Sequence, residues 1–544
     1  MSVSRGQKGL VAFLTQLGAI ILGAFLFAAA FPNVLFENGL PLLAWIAYIP
    51  VFWVIRQVHF GASFFWGALY GYSAYGIFNY WLSVFHPLAG LIVGIIYLCY
   101  FMILFPLLKL ALILFPRRGY LLQWILWISF EYLRTQGFLG YPYGITGYSQ
   151  WHIIPVIQIA DIFGVWGVSA LVVFPSVWLA AALPGGLGGL DPPYHFRHAW
   201  LSASLWCAAL IATLIYGFIA QVNYTAAPTA RIALIQHNTD PWQGGIEDYR
   251  NNFEVLRRLS DEALQAEPKP DLVVWSETAF VPRIYWHTTY RDDPVSYILV
   301  KELLDYLARQ DVPFVIGNDD ARKEVGGHGT WERVDYNAAM LFNRGELVGL
   351  YRKLHLVPFT EHFPYEKQFP LIYTALKNAD THFWEKGREA TVFEINGLKF
   401  SNPICFEDTF GYLSREFVQN GAELIVNLTN DAWSNSLPAQ MQHLSMAVFR
   451  AVENRRSMVR STASGQTCAI DPNGRILAMA RPFAETQITA EVPIIGPASW
   501  YTKQGDFLPR IFIAAAGIWL LFGIVWGIVK KIPSKHKEGR YEPM

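Results

Sequence analysis

The sequence predicts a multi-pass α-helical membrane domain of about eight spans joined to one α/β domain. Three observations carry that reading. Hydrophobic residues make up 53% of the 544 positions and charged residues only 15%, too apolar for a chain that is soluble throughout. The apolar residues are spread unevenly: long runs fill 10–219 and return at about 509–530, whereas 229–495 is mixed. Within that mixed stretch, short apolar runs alternate with segments of helical periodicity, the pattern of an α/β fold.

A bilayer core takes roughly 20 apolar residues as helix. By that measure spans fall near 10–31, 39–55, 60–82, 88–115, 119–133, 153–182, 199–219 and 509–530. The fifth is short and the fourth and sixth are long, which predicts tilt or breaks. Pro106, Pro155 and Pro175 lie inside such runs and are tolerated where neighbours satisfy the backbone. Ala28-Ala29-Ala30 resembles a cleavage site, but the apolar run before it exceeds the ~7–15 residues of a signal peptide, so an uncleaved span is predicted.

With the N-terminus in the cytoplasm, the inner segments hold Arg5, Lys8, Arg56, Arg117, Arg118, Arg197 and the tail residues Lys530, Lys531, Lys535, Lys537 and Arg540. The short outer loops hold only Arg134. That bias predicts cytoplasmic termini and a large domain outside. The expected division is a membrane domain over 1–225, a catalytic domain over 226–500, and a last span with its basic tail over 501–544.

Strands are expected at RIALIQHN (231–238), DLVVWSE (271–277), VPFVIGN (312–318), AAMLFN (338–343), LVGLYRK (347–353), LKFSNPICFE (398–407) and AELIVNL (422–428), each a short apolar run. DYRNNFEVLRRLSDEALQA (248–266) and VSYILVKELLDYLARQ (295–310) have helical spacing. Formal net charge is zero, which gives no sign of a nucleic-acid partner. No C-x-x-C pair, Cys/His cluster or Walker-type loop appears, so neither a metal nor a cofactor is expected. PGGLGGL (184–190) reads as a flexible turn.

Glu277, Lys353 and Cys405 each stand at the end of a strand-like run, where α/β folds converge side chains into a crevice. Singly they are a solvated glutamate, a surface lysine and a small buried hydrophobe. Together they suit acyl transfer through a thioester. The thiolate is the nucleophile. An ammonium favours it and can steady an oxyanion. A carboxylate takes the thiol proton. A disulfide between Cys405 and Cys468 stays open as the alternative for an oxidising compartment.

WSETAF (275–280), YRKLHLVPFTEHFP (351–364) and NPICFED (402–408) resemble the Glu-Lys-Cys motifs of the nitrilase superfamily, and within it the apolipoprotein N-acyltransferase family. FEYLRTQGFLGYPYGITGYSQ (130–150) and IQIADIFGVWGVSALV (157–172) are similar to that family's membrane half. DYN (335–337), NLTNDAW (427–433), QHLSMAVFRAVENRR (442–456) and IDPNGRI (470–476) are similar to its catalytic half. The resemblance implies an αββα sandwich with Cys405 as nucleophile, Glu277 as general base and Lys353 as third member. Asn337 would join Lys353 at the oxyanion, Glu361 would position the lysine, and Glu407 would order the site. Trp433 and Arg450 are candidate substrate contacts; their alternatives are packing and a helix-face ion pair. The implied donor is a phospholipid and the acceptor a diacylated apolipoprotein. The implied location is a bacterial inner membrane, with catalysis on the periplasmic side. The sequence departs from the family pattern at Phe406, where a tyrosine is usual, and at Thr360 and Ser434-Asn435, where glycine is expected.

HFPYEKQFPLIY (362–373) follows the lysine motif as a long aromatic, apolar loop. Exposed in water it would be a liability; at a bilayer surface it is expected to be a lid, with Phe363 and Phe369 touching the acyl chain. Two other readings fit the chain. One is a membrane-tethered amidase with water as acceptor. The other is a transporter or scaffold, against which stands the scarcity of midplane charge in the spans.

Overall fold

The computed structural model describes residues 5–85, 87–183, 199–240, 244–325, 331–378 and 382–531. The glycine cluster at 184–190, Arg197 and the tail residues Lys535, Lys537 and Arg540 lie outside them.

Twelve strands among the described residues form two six-stranded sheets. They are β1 (Thr229–Gln236), β2 (Leu272–Val274), β3 (Phe314–Val325), β4 (Trp331–Asn343), β5 (Glu346–Arg352), β6 (Val392–Ile395), β7 (Leu398–Ser401), β8 (Leu424–Thr429), β9 (Ser457–Thr462), β10 (Cys468–Ile470), β11 (Ile476–Met479) and β12 (Thr486–Pro493). The first sheet runs β12-β1-β2-β3-β4-β5 and the second β11-β10-β9-β8-β7-β6. Side chains alternate between two apolar layers. Ile232, Leu234, Leu272 and Val274 share a core with Phe400, Leu424, Val426 and Met458 of the second sheet. Ala233, Ile235 and Val273 point the other way, onto Phe253, Leu256, Leu299 and Leu303. Those four lie on helices Ile246–Leu264 and Pro294–Ala308. Burial on both faces is why these strands read as unbroken apolar runs. The result is the expected αββα sandwich.

The membrane part agrees in outline and differs in continuity. Among the described residues five helices are long and apolar enough to cross a bilayer: Gln7–Ala30, Ala89–Leu114, Val165–Ala182, Trp200–Ile219 and Phe507–Val529. The expected span at 39–55 is two short helices, Pro41–Ala44 and Ile49–Gln57, each with proline in its first turn, where proline starts a helix but cannot continue one. The expected span at 153–182 is three pieces, Ile154–Ile157, Ala160–Phe163 and Val165–Ala182. Gly164, at φ +63°, turns the last junction. Helix Phe60–Phe78 packs on Pro87–Leu114 through Gly67 and Gly71. A Cβ at either would meet the carbonyl oxygen of Phe101 or Tyr97 at 2.2 Å, the close approach that small residues four apart permit.

The two parts meet along helix Leu437–Asn454, buried from Ala439 to its end. Gln442 donates to the Pro32 carbonyl (2.9 Å) and accepts from Trp81 Nε1 (3.0 Å). Glu453 accepts from the Val165 N–H at 3.0 Å. Arg455, capping the helix, pairs with Asp161 at 2.7 Å. Buried charges held this way are costly to unpair, so the junction fixes the α/β part against the helices it meets.

Candidate active site

The site lies where the closing ends of the two sheets face each other. After β2 the chain turns at Thr278, φ +47°, and leaves Glu277 6% exposed. Its Oε1 accepts from Asn337 Nδ2 of β4 at 2.8 Å and from Lys353 Nζ at 3.2 Å. Its Oε2 accepts from the Asn430 N–H at 2.9 Å, beyond the end of β8. Lys353 leaves β5 with its N–H on the Asn337 carbonyl at 2.8 Å. Its ammonium, fully buried, also reaches Glu361 Oε1 at 2.8 Å. Glu361 Oε2 accepts from the Val357 N–H at 2.8 Å, fixing the loop that carries it.

Cys405 opens the 3-10 turn Cys405–Thr409 after β7. Its φ of +51° is a left-handed conformation that a non-glycine residue holds only against strain, as nucleophiles on sharp turns do. Glu407, in the same turn, reaches back to the Ile404 N–H at 2.7 Å. It also accepts from the N–H groups of Leu354 (2.7 Å) and His355 (2.9 Å) and from the Tyr351 hydroxyl (2.8 Å). One buried carboxylate thus ties the cysteine turn to the lysine loop. All four cysteines are free thiols, so the disulfide alternative is not what the fold adopts.

The charges are coupled. Burial works against the Lys353 ammonium, but Glu277, Glu361 and Cys405 outweigh it and push its pKa well above the usual lysine value. Burial also pushes the Cys405 thiol up, Glu277 adds to this, and Lys353 opposes it. Burial and Glu277 thus favour the neutral thiol, and Lys353 favours the thiolate. A thiol so balanced suits proton removal by a neighbouring general base.

The structure brings Glu277, Asn337, Lys353, Glu361, Cys405 and Glu407 together. Arg450 pairs with Glu453 at 2.9 Å, donates to the Tyr148 hydroxyl at 3.0 Å, and donates to the Thr409 carbonyl, at the end of the cysteine turn, at 3.3 Å. The backbone of Trp433 is in the turn Ala432–Ser434; its side chain lies outside the described residues. Phe363 is buried and packs with Phe359, Tyr365 and Phe138, the last from a loop of the membrane part. Phe369 is half exposed, and the expected loop is a loop as far as Phe369, its end running into helix Pro370–Asn378, which has no buried residue. Of the departures, Asn435 takes φ +40°, a left-handed position that asparagine tolerates. At the other, the left-handed residue is Phe359, φ +66°, and not Thr360. Phe406 packs on Phe410, ring centroids 5.0 Å apart.

Sequence reading missed the Asn430 amide and Tyr351 as partners of the two carboxylates. A backbone donor leaves no trace in residue type, and Tyr351 reads as one more apolar position of β5.

A cysteine turn, a buried lysine and a glutamate at the meeting ends of an αββα sandwich define a thiol enzyme of the carbon-nitrogen hydrolase class, here carried on membrane helices. A carbon-nitrogen hydrolase profile matches residues 231–500, and a profile for the apolipoprotein N-acyltransferase N-terminal domain matches 23–178. The chain is 46% identical over 534 residues to apolipoprotein N-acyltransferase 1 of Treponema denticola, covering 95% of this chain and 98% of that protein. It is 48% identical over 516 residues to the Treponema pallidum protein of the same name, covering 92% and 94%. An amidase structure from Nesterenkonia sp. aligns with 52% of this chain and 96% of its own, at 17% identity and a TM-score of 0.35. The chain belongs to the apolipoprotein N-acyltransferase family and is a membrane-associated acyltransferase of the nitrilase superfamily.

Proposed function

We propose that the chain N-acylates lipoproteins by a two-step exchange through Cys405, with a phospholipid as donor. Glu277 takes the thiol proton while sulfur attacks the ester carbonyl. The oxyanion falls to the Lys353 ammonium and the Asn337 amide. The tetrahedral intermediate expels the lysophospholipid alkoxide, which recovers the proton from Glu277, leaving an acyl thioester on Cys405. The α-amine of an S-diacylglyceryl cysteine then attacks that thioester. Its pKa near 7.7–8 leaves a useful neutral fraction at pH 7. Glu277 takes the amine proton, the amide forms, and the departing thiolate is reprotonated.

The observation that carries this reading is the buried Glu277–Lys353–Glu361 set beside a thiol, with an apolar arm next to it. The arm, 362–378, exposes Leu371 (85%) and Phe369 (53%), and its aromatic base packs on Phe138 of the membrane part. We read it as a lid that dips into the interface and admits the acyl chain, with the catalytic domain (226–500) on the periplasmic face of a bacterial inner membrane and both termini cytoplasmic. The Lys/Arg bias of the inner segments supports that orientation.

The test is an acyl-enzyme trap. A phospholipid labelled in its acyl chain is mixed with the purified chain, and the Cys405 peptide is read by mass spectrometry. Label is expected on Cys405, and it should move to a diacylated peptide when one is added. Label leaving equally fast without the peptide would make water the acceptor, and label persisting in Cys405→Ala would end the assignment.

A further inference from the structure

Behind the nucleophile turn lies a second buried cluster with no part in the mechanism above. His443, on helix Leu437–Asn454, has Nε2 2.7 Å from Asp408 Oδ1 and Nδ1 3.3 Å from Asp431 Oδ1. Arg460, on β9, bonds Asp408 through Nη1 and brings Nη2 to 3.7 Å from Asp431 Oδ2. These side chains are at most 4% exposed. Carboxylates only accept hydrogen bonds, so an imidazole facing one at each nitrogen must donate from both and be an imidazolium. Two carboxylates, one guanidinium and one imidazolium sum to zero.

The position of the cluster gives it work. Asp408 is in the same turn as Cys405, and Asp431 adjoins Asn430, whose N–H holds the general base Glu277. The quartet therefore joins the nucleophile turn to the base-holding loop. The other titratable groups facing it are Tyr143, a ring from the membrane part 6.4 Å from the His443 ring, Cys468, paired opposite Arg460 in the sheet, and Arg450, whose charge acts on Asp408 and is itself paired with Glu453 at 2.9 Å.

We propose that His443 is a positioning residue for acyl transfer: its positive charge closes a neutral quartet and keeps the negative charge of Asp431 from acting unopposed on the Cys405 sulfur. The titration behaviour agrees. Burial disfavours the imidazolium, yet Asp408 and Asp431 push His443 up to about 9. Burial raises Asp408, but Arg460 and His443 hold it below the usual carboxylate range. Asp431 is among the charges that raise the Cys405 thiol, after burial and Glu277.

The proposal rests on Cys405 being the nucleophile, so its test avoids turnover. The pH dependence of Cys405 alkylation by iodoacetamide is followed on the full-length chain in detergent, reading the Cys405 peptide by mass spectrometry. In His443→Gln the cluster carries one net negative charge, and the midpoint should move alkaline by roughly one pH unit, as one uncompensated neighbouring charge would cause. His443→Gln with Asp431→Asn restores neutrality and should return the midpoint towards that of the unaltered chain. Asp431→Asn alone, with His443 still paired to Asp408, should move it acidic, and this variant decides the matter if His443→Gln does not fold. An unmoved midpoint in His443→Gln, no return in the double variant, or an unmoved midpoint in Asp431→Asn each overturns the proposal. Failure of iodoacetamide to label Cys405 at any pH in the unaltered chain would instead count against the reading of Cys405 as the nucleophile, on which the proposal rests.

Discussion

Two adjacent stretches, 351–361 and 362–378, are built on opposite rules. In the first, Lys353 is fully buried, the amides of Leu354 and His355 end on Glu407, and the Val357 amide ends on Glu361. In the second, helix Pro370–Asn378 has no buried residue, and the side chain of Leu371 is almost wholly exposed. The first spends buried charge and hydrogen bonds on fixing one ammonium; loosening any of them moves reacting groups. The second leaves apolar surface unpaired, which only a nonaqueous neighbour makes favourable. The first stretch is held from all sides, whereas the second is held only at its base, through Phe363.

The largest break in that comparison is at the sulfur. Cys405→Ala should retain its fold by circular dichroism and lose all transfer to a diacylated peptide. Next comes the base: Glu277→Gln keeps the shape of the Glu277–Asn337 contact but not its basicity. The rate of acyl-enzyme formation should fall by roughly 10²–10⁴-fold, the usual contribution of a general base, with the donor's half-saturation little changed. On the other side of the comparison, Leu371→Ser with Phe369→Ser should raise the half-saturating lipid concentration at least tenfold, since fully burying one apolar side chain is worth about 1.5–3 kcal/mol and about 1.4 kcal/mol is tenfold. The thermal midpoint should stay put, because neither residue is in the core. A fall in thermal midpoint with unchanged lipid dependence would mean the arm is core after all.

The smallest expected effect sharpens the rigid side alone. His443 is raised from 6.5 to about 9 in the fold. Its contribution to stability is full below about 6.5 and is lost as pH rises through 9. The gap in thermal midpoint between the unaltered chain and His443→Gln should accordingly be widest near pH 6 and narrow towards pH 10. A gap that widens with pH would show a neutral imidazole in the fold.

Much of this was legible in the sequence. Burial on both faces left β1, β2 and β8 as apolar runs, and the three motifs marked Glu277, Lys353 and Cys405 as a set. What was not legible has a common cause. β9, SMVRST, carries Arg460, Ser461 and Thr462, all buried, so it shows no apolar signal. Its polar atoms are satisfied from afar: Ser461 donates to the Ile235 and Val274 carbonyls, and Arg460 to Asp408. A break in 153–182 was expected from its length, though not its place at Gly164; the break at 45–48 was not expected, because Trp45, Ile46, Ala47 and Tyr48 continue the apolar run.

Residue order alone determined that the chain has a membrane part and an α/β part, because hydrophobic length and periodicity are local properties. It also marked the candidate reacting groups, because their chemistry is written in side-chain type. Which charge neutralises which, where the left-handed cysteine turn points, and how the two parts lock through Arg455 and Asp161 were decided only in three dimensions. Those outcomes depend on distances between residues tens or hundreds of positions apart, and electrostatic energy follows separation in space, not along the chain.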